Sequence, residues 1–170
     1  MSEIIVTEKT NPDTVDIDVS SSLEIAKMIN NEDLKVAVEV SKNLEIIAKA
    51  IDIISESFLN GGRLLYFGAG TSGRLGVLDA SECPPTFNTS PDLVQGIIAG
   101  GDTALRNAIE GAEDSKELAL KDFSKLNVNK NDTVVSISAS GNASYVIEIL
   151  KQAKEKNANT IALTCNPEAK

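Results

Sequence analysis

The 170-residue chain contains no histidine. That excludes imidazole chemistry: no Ser–His hydrolase, no His-ligated metal and no His acid–base pair. Tryptophan is also absent and aromatics make up 4% of the chain, too few for a base-stacking platform. The two cysteines, Cys83 and Cys165, lie far apart, which rules out a disulfide framework and a four-cysteine zinc site. Basic residues are outnumbered, with 16 Lys+Arg against 25 Asp+Glu and a net charge of −9. Such a surface disfavours nucleic acid or an anionic membrane as the partner, yet leaves room for one small amide-lined anion pocket. No apolar run approaches the roughly 20 residues that span a bilayer, and the opening MSEIIVTEKTNPDT lacks the basic and apolar regions of a signal peptide. The expectation is a soluble, reduced, cytoplasmic protein with no membrane or nucleic-acid partner.

Apolar residues reach 42%, enough for a real core in about one domain. Residues 1–60 read as an arm followed by helices. Ser21 and Glu24 stand at capping-box spacing, which predicts a short helix to about Asn30. Asn31 is then placed to cap a longer helix whose stripe includes Leu34, Val38, Leu44, Ile47, Ile51, Ile54 and Phe58, spaced for one face. Gly61-Gly62 ends it.

Residues 61–170 change pattern. Four strand-sized apolar runs begin at Arg63, Val94, Thr133 and Thr160, with helices predicted at about Ser72–Glu82, Thr103–Phe123 (with a break near Asp114) and Ala143–Lys156. This is the spacing of βαβ units. Continuous apolar strands imply a parallel sheet covered on both faces, a three-layer α/β sandwich of Rossmann-like type. Two strands run into related loops, Gly68-Ala-Gly70-Thr71-Ser72-Gly73 and Ser138-Ala-Ser140-Gly141. In an open α/β sheet ligands bind at the carboxyl ends of the strands, so two such loops would share one pocket.

The first loop satisfies the dinucleotide fingerprint literally, but only Asp102 stands near the second strand's end to hold a ribose. No lysine makes it a Walker loop. Thr71 and Ser72 with backbone N–H groups at a helix start suit a small monophosphate. A sugar or other small phosphate, a dinucleotide and a purely structural turn all remain open. The second loop reads equally as ordinary turn chemistry.

Two prolines follow Glu82 in Asp79-Ala-Ser-Glu82-Cys-Pro84-Pro85, which predicts a helix end at Glu82. A carboxyl there faces the negative end of the macrodipole, which favours its protonated form and suits a general acid; the alternative is a solvated helix end. Glu110, Glu113 and Asp114 form a second acidic cluster, with Glu110 and Glu113 expected on one helix face, either solvated or aimed into the pocket. Cys83 has nothing basic nearby to make it a thiolate nucleophile.

The stretch from Gly61 to Phe87, GGRLLYFGAGTSGRLGVLDASECPPTF, closely resembles the signature of the N-acetylmuramic acid 6-phosphate etherase family, within the sugar isomerase (SIS) phosphosugar-binding class. Ile97-Ile-Ala-Gly-Gly101, Glu110-Gly-Ala-Glu-Asp114 and the early Thr7-Glu-x-x-Asn-Pro12 support it in the same order. The resemblance implies an SIS-type fold and cleavage of the D-lactyl ether of a 6-phosphorylated amino sugar in cell-wall recycling, by elimination and then hydration, with no metal or organic cofactor. It implies Glu82 as the acid that protonates departing lactate and Glu113 as the C2 base. One βα unit separates them, so both are expected at one sheet edge. Gly70, Thr71, Ser72, Ser138 and Ser140 are implied to bind the phosphate, in a homodimer whose site draws on both subunits. Departures occur at Thr10, Asn88 and Asn142-Ala-Ser144. Family chains also continue well past Asn166-Pro167, so the α/β region is expected to be incomplete at its C-terminal side. Two alternatives are a non-catalytic sugar-phosphate sensor and an aldose–ketose phosphosugar isomerase of the same fold.

Overall fold

The computed structural model describes residues 6–169. The chain divides into two compact units, Met1–Ile51 and Asp52–Lys170. The first contains two short 3-10 turns, helix α1 (Ser22–Ser41) and the start of helix α2 (Leu44–Leu59). The arm lies on α1: Asn11 donates to Glu32 at 2.9 Å, and Lys35 bridges Asp13 and Glu32.

The capping box at Ser21 and Glu24 forms as expected, each satisfying the other's backbone N–H. Asn31 does not start a helix; it lies inside α1. Asparagine costs an interior helix only about 0.7 kcal/mol, too little to stop one already nucleated. The break comes instead at 42–43, where Asn43 Nδ2 donates to the Glu39 carbonyl at 3.0 Å and competes with the backbone pattern. The Asn43 carbonyl then accepts from Ile46 and Ile47 to begin α2.

The second unit is a four-stranded parallel sheet in the order β2-β1-β3-β4. Its strands are β1 (Leu64–Gly68), β2 (Val94–Ile98), β3 (Thr133–Ile137) and β4 (Asn159–Leu163), each within about a residue of the expected run. Side chains alternate across the pleat. Leu65, Phe67 and Val134 face helices α5 (Lys116–Ser124) and α6 (Ser144–Glu155) through Ala119, Phe123, Tyr145 and Ile149. Leu64, Val94 and Val135 face Ile54 and Phe58 of α2 together with Ala80 and Cys83 of helix α3 (Gly70–Phe87). The three-layer α/β sandwich follows.

Helix α3 packs unusually close to the sheet. A Cβ on Gly73 would lie 2.7 Å from the Gly68 carbonyl oxygen, and one on Gly96 would lie 2.5 Å from the Val77 Cα. The contacts also orient the helix. Gly73 meets Gly68 and Ile98 at the strand ends, whereas Ala80 and Cys83 cluster with Leu64 and Val94 at the strand starts. So α3 runs antiparallel to the strands.

Two helix expectations need correction. Helix α3 does not stop at Glu82 but continues through Pro84 and Pro85 to Phe87. The fixed φ of proline is itself helical, and Asn88, at φ 55°, closes the end by donating to the Pro84 carbonyl at 2.9 Å. Asparagine is the usual non-glycine residue for this left-handed cap. The break expected near Asp114 within Thr103–Phe123 forms but is wider than expected, leaving three pieces: α4 (Asp102–Arg106), a 3-10 turn (Ala112–Asp114) and α5. Asn107, extended at φ −124° and ψ 147°, ends α4; Gly111, at φ 72°, precedes the 3-10 turn, and Ser115 caps α5 by accepting from the Leu118 N–H. Glu110 and Glu113 therefore share no helix face.

The strand starts are tied by Asp132, which is wholly buried. It accepts from the Arg63 backbone and guanidinium and from the Asn129 backbone and amide. Burial opposes its ionisation, but the hydrogen bonds from Arg63 and Asn129 prevail and hold its pKa below the ordinary value. Beside it, buried Ser57 bonds Thr133 at 2.6 Å and accepts from Asn159 at 3.2 Å. Among the described residues no helix is long and apolar enough to cross a membrane.

Candidate functional site

The strand order reverses at β1: the chain steps from β1 to β2 on one side, then crosses to β3 on the other. The crevice at such a switch point, beyond the carboxyl ends of the strands, is where open α/β sheets bind ligands. Gly68 is in register with Ile137, so the two glycine–serine loops leave neighbouring strands side by side. Both loops stand at one end of the sheet, but they do not share the expected pocket: only the first lines the cavity beside it.

In the first loop Ala69 precedes α3 without any side-chain cap, leaving the first-turn N–H groups without intrahelical partners. Gly70, at φ 53°, takes a conformation that side chains disfavour. Thr71 is exposed and Ser72 half-buried in that first turn. Amides and hydroxyls therefore converge at the positive end of an 18-residue helix, an arrangement suited to a phosphate.

In the second loop the hydroxyls accept from their own turn. Ser138 Oγ takes the Gly141 N–H at 3.1 Å and Ser140 Oγ takes the Asn142 N–H at 3.2 Å. Neither caps α6, which begins beyond them with Ala143 at its N-cap. Each hydroxyl still has its own proton to donate. The loop is braced from beyond β4: Asn166, almost fully buried, donates to the Ser140 carbonyl at 3.0 Å, and Thr164 Oγ1 donates to the Ala139 carbonyl at 3.1 Å.

A cavity of about 230 Å³ opens on the β2 side of the first loop. Its floor includes buried Ala99, Ala104 and Ala112, and its polar rim is Gly70, Arg74, Asn107, Glu110 and Glu113. Glu110 lies in a turn and Glu113 in the following 3-10 turn, yet both line the same cavity. A break in the helix, rather than a shared helical face, brings them together. Of the residues expected to bind phosphate only Gly70 lines it; Thr71, Ser72, Ser138 and Ser140 do not.

Glu82 is elsewhere. It is exposed and lies twelve residues beyond Gly70 on α3, about 18 Å along a helix axis. Its neighbour Cys83 packs with Leu64 and Val94 at the opposite end of the sheet. The expectation that Glu82 and Glu113 lie at one sheet edge is not met within a single chain, because a helix returning antiparallel to its strand carries its last turns away from the loops. The expected helix end at Glu82 is also missing: five residues follow it in the helix, so it stands before the last turn, to which the macrodipole field is confined. Burial, and then the charge of Asp79, push the Cys83 thiol up, away from the thiolate a nucleophile needs.

Sequence reasoning missed two residues as site elements. Arg74 belongs to the signature stretch but carries no sign of its role until it is seen on the cavity rim. Asn166 braces the second loop across a strand, and only the Asn-Pro dipeptide hinted at a turn there.

Residues 45–154 match the family model described as the glucokinase regulatory protein N-terminal SIS domain. The chain is similar to proteins named N-acetylmuramic acid 6-phosphate etherase. One from Clostridium botulinum (strain Langeland) is 61% identical over 97% of this chain and 55% of its own length. Another from Clostridium beijerinckii is 56% identical over 95% and 53%, and one from Rhodopirellula baltica is 53% identical over 96% and 54%. The chain thus spans about half the length of these relatives. Among solved structures, a phosphoheptose isomerase from Neisseria gonorrhoeae superimposes with a TM-score of 0.67 at 26% identity, over 85% of this chain and 75% of that one. Another from Francisella tularensis gives 0.66 at 21% identity, over 85% and 76%, and shows the same fold.

Proposed function

The chain belongs to the SIS-domain family, and from that premise we propose that it supplies the phosphosugar-binding half of an N-acetylmuramic acid 6-phosphate etherase acting in cytoplasmic recycling of cell-wall amino sugars. The observation that carries this reading is the placement of Glu113 in one cavity with Gly70 of the uncapped α3 N-terminus. A carboxylate in a cavity that borders an anion cradle at Gly70 suits a substrate that carries an acidic C–H a few bonds from a phosphate.

In this reading Gly70, Thr71, Ser72, Ser138 and Ser140 hold the 6-phosphate. The open-chain aldehyde acidifies the C2 proton, which Glu113 removes. The C3–O bond then breaks, and the lactate oxygen takes a proton from Glu82. Water then adds across the C2–C3 double bond: its oxygen bonds C3 while Glu82 takes its proton, and C2 regains a proton from Glu113, completing the exchange of lactate for hydroxide. General acid–base catalysis by two carboxyls supports such a sequence without a metal or organic cofactor. Because Glu82 lies about 18 Å along α3 from the cradle, the acid that meets a given substrate comes from a second copy, and the working form is a homodimer with its site at the interface.

A phosphosugar isomerase is the second reading, favoured by the structural likeness to the phosphoheptose isomerase from Neisseria gonorrhoeae. It needs the C2 base but no acid for a leaving group. The test is product analysis with N-acetylmuramic acid 6-phosphate. D-lactate release that disappears in Glu82→Gln supports the etherase, a ketose phosphate formed from a 2-hydroxy aldose phosphate in a parallel assay supports the isomerase, and saturable binding without product from either leaves a sensor.

A further inference from the structure

Arg74 lies one turn into α3, on the rim of the cavity that Glu110 and Glu113 also line. Its Nε donates to the Leu105 carbonyl at 3.1 Å and its Nη2 to the Asn107 carbonyl at 3.4 Å. Leu105 is in the last turn of the five-residue helix α4, whose final carbonyls have no partners within the helix. The guanidinium, coming from a different helix, supplies them.

The segment that follows has few other ties. Among the described residues no backbone hydrogen bond involves Ala108, Ile109 or Glu110. Asn107 turns back on Thr103 through its N–H and its side chain, and Ile109 rests against Gly100. At the far end Ala112 is buried in the core. The run 107–111 is therefore pinned at its entry by Arg74 and at its exit by Ala112, and it leads directly into Glu113. Arg74 forms no ion pair among the described residues, unlike Arg63, which is paired with buried Asp132. Its bonds go to neutral carbonyls, so charge pairing is not what it contributes here.

We propose that Arg74 is a positioning residue: its guanidinium clamps the Leu105 and Asn107 carbonyls to α3 and so holds Glu110 and Glu113 against the first glycine loop. The function assigned to Glu113 rests on the etherase reading above; the clamp itself does not. Arginine suits the task because its planar fork presents several donors in a fixed geometry, whereas lysine offers a single ammonium on a flexible stem.

The experiment compares the full chain with Arg74→Met, which keeps the apolar stem, and Arg74→Lys, which keeps one donor group. Amide hydrogen exchange over 107–114 is read by NMR without ligand at Asn107 and Asp114, whose N–H groups donate to the Thr103 and Gly111 carbonyls, and is expected to speed up about tenfold in Arg74→Met for the loss of hydrogen bonds from a charged donor. An intermediate change is expected in Arg74→Lys, with the β3 amides at 133–137 unaltered in both. In lactate release, kcat is expected to fall about tenfold or more for a displaced carboxylate, with KM moved less than about threefold, and Arg74→Lys is expected to recover part of the loss. Unchanged exchange over 107–114 in Arg74→Met overturns the proposal. So does faster exchange with kcat intact, or a raised KM with constant kcat, which would make Arg74 a ligand contact. Faster exchange in a protein whose wild type releases no lactate supports the clamp and removes the etherase reading alone.

Discussion

Glu113 and Glu82 lie at opposite ends of the sheet: the first lines a cavity with Gly70 at the strand ends, and the second sits beside Cys83, which packs on Leu64 and Val94 at the strand starts. A site that needs both must therefore combine two chains. Glu82→Gln and Glu113→Gln are each expected to abolish lactate release alone. Mixed after co-refolding, they are expected to regain about a quarter of the wild-type rate, since half the dimers then hold one intact site of two. Enzymatic lactate detection on the mixture decides this, and continued silence would return both residues to one chain's site.

Ser72 tests the anion cradle. Ser72→Ala removes one hydroxyl donor from the first turn of α3, and a hydrogen bond to a charged group contributes about 1.5–3 kcal/mol. Affinity for N-acetylglucosamine 6-phosphate, measured by titration calorimetry, is expected to fall at least about tenfold. An unaltered affinity would remove the hydroxyl from the phosphate site.

Asp132 ties stability to pH. Its folded-state pKa is depressed, so its contribution is present above the ordinary aspartate pKa of about 3.9 and is lost as pH falls below that toward the folded value. Asp132→Asn breaks a buried pair and is expected to cost about 3–5 kcal/mol at neutral pH. In urea unfolding, the gap between wild type and variant should narrow as pH drops from about 5 to below 3. A constant gap would mean that packing, not charge, is the source of the stability.

Gly96 sets the depth of α3 on the sheet. Gly96→Ala would place a methyl 2.5 Å from the Val77 Cα and 2.7 Å from the Gly76 carbonyl oxygen. Both are backbone atoms, so the helix itself must shift. The expected loss is at least about 2 kcal/mol, a drop of roughly 6 °C in melting temperature. A change under about one degree would show that α3 tolerates displacement.

Much of the fold was legible because its signals are local. Strand-sized apolar runs from Arg63, Val94, Thr133 and Thr160 mark a parallel sheet, within about a residue of the strands observed. Ser21 and Glu24 announce a helix start within four residues. The helix ends were less legible. Pro84 and Pro85 are strong local stops, yet the packing of Ala80 and Cys83 and the left-handed Asn88 carry α3 past them. Asn31 is a weak start signal and was overridden by a helix already running.

The sequence by itself determined the sheet, the two loops and the residue types available to the site: hydroxyls, amides and carboxylates, with no imidazole. Those are properties of short windows, and short windows are what propensity and periodicity encode. Only the tertiary structure decided which carboxylate meets which loop. Glu113 lines the cavity beside Gly70 where the chain has left α4 at Asn107, with Arg74 bonded to Leu105 from another element. Glu82 leaves it because an antiparallel return on α3 takes the chain about 18 Å away. Each depends on contacts between residues dozens of positions apart, which no local pattern specifies.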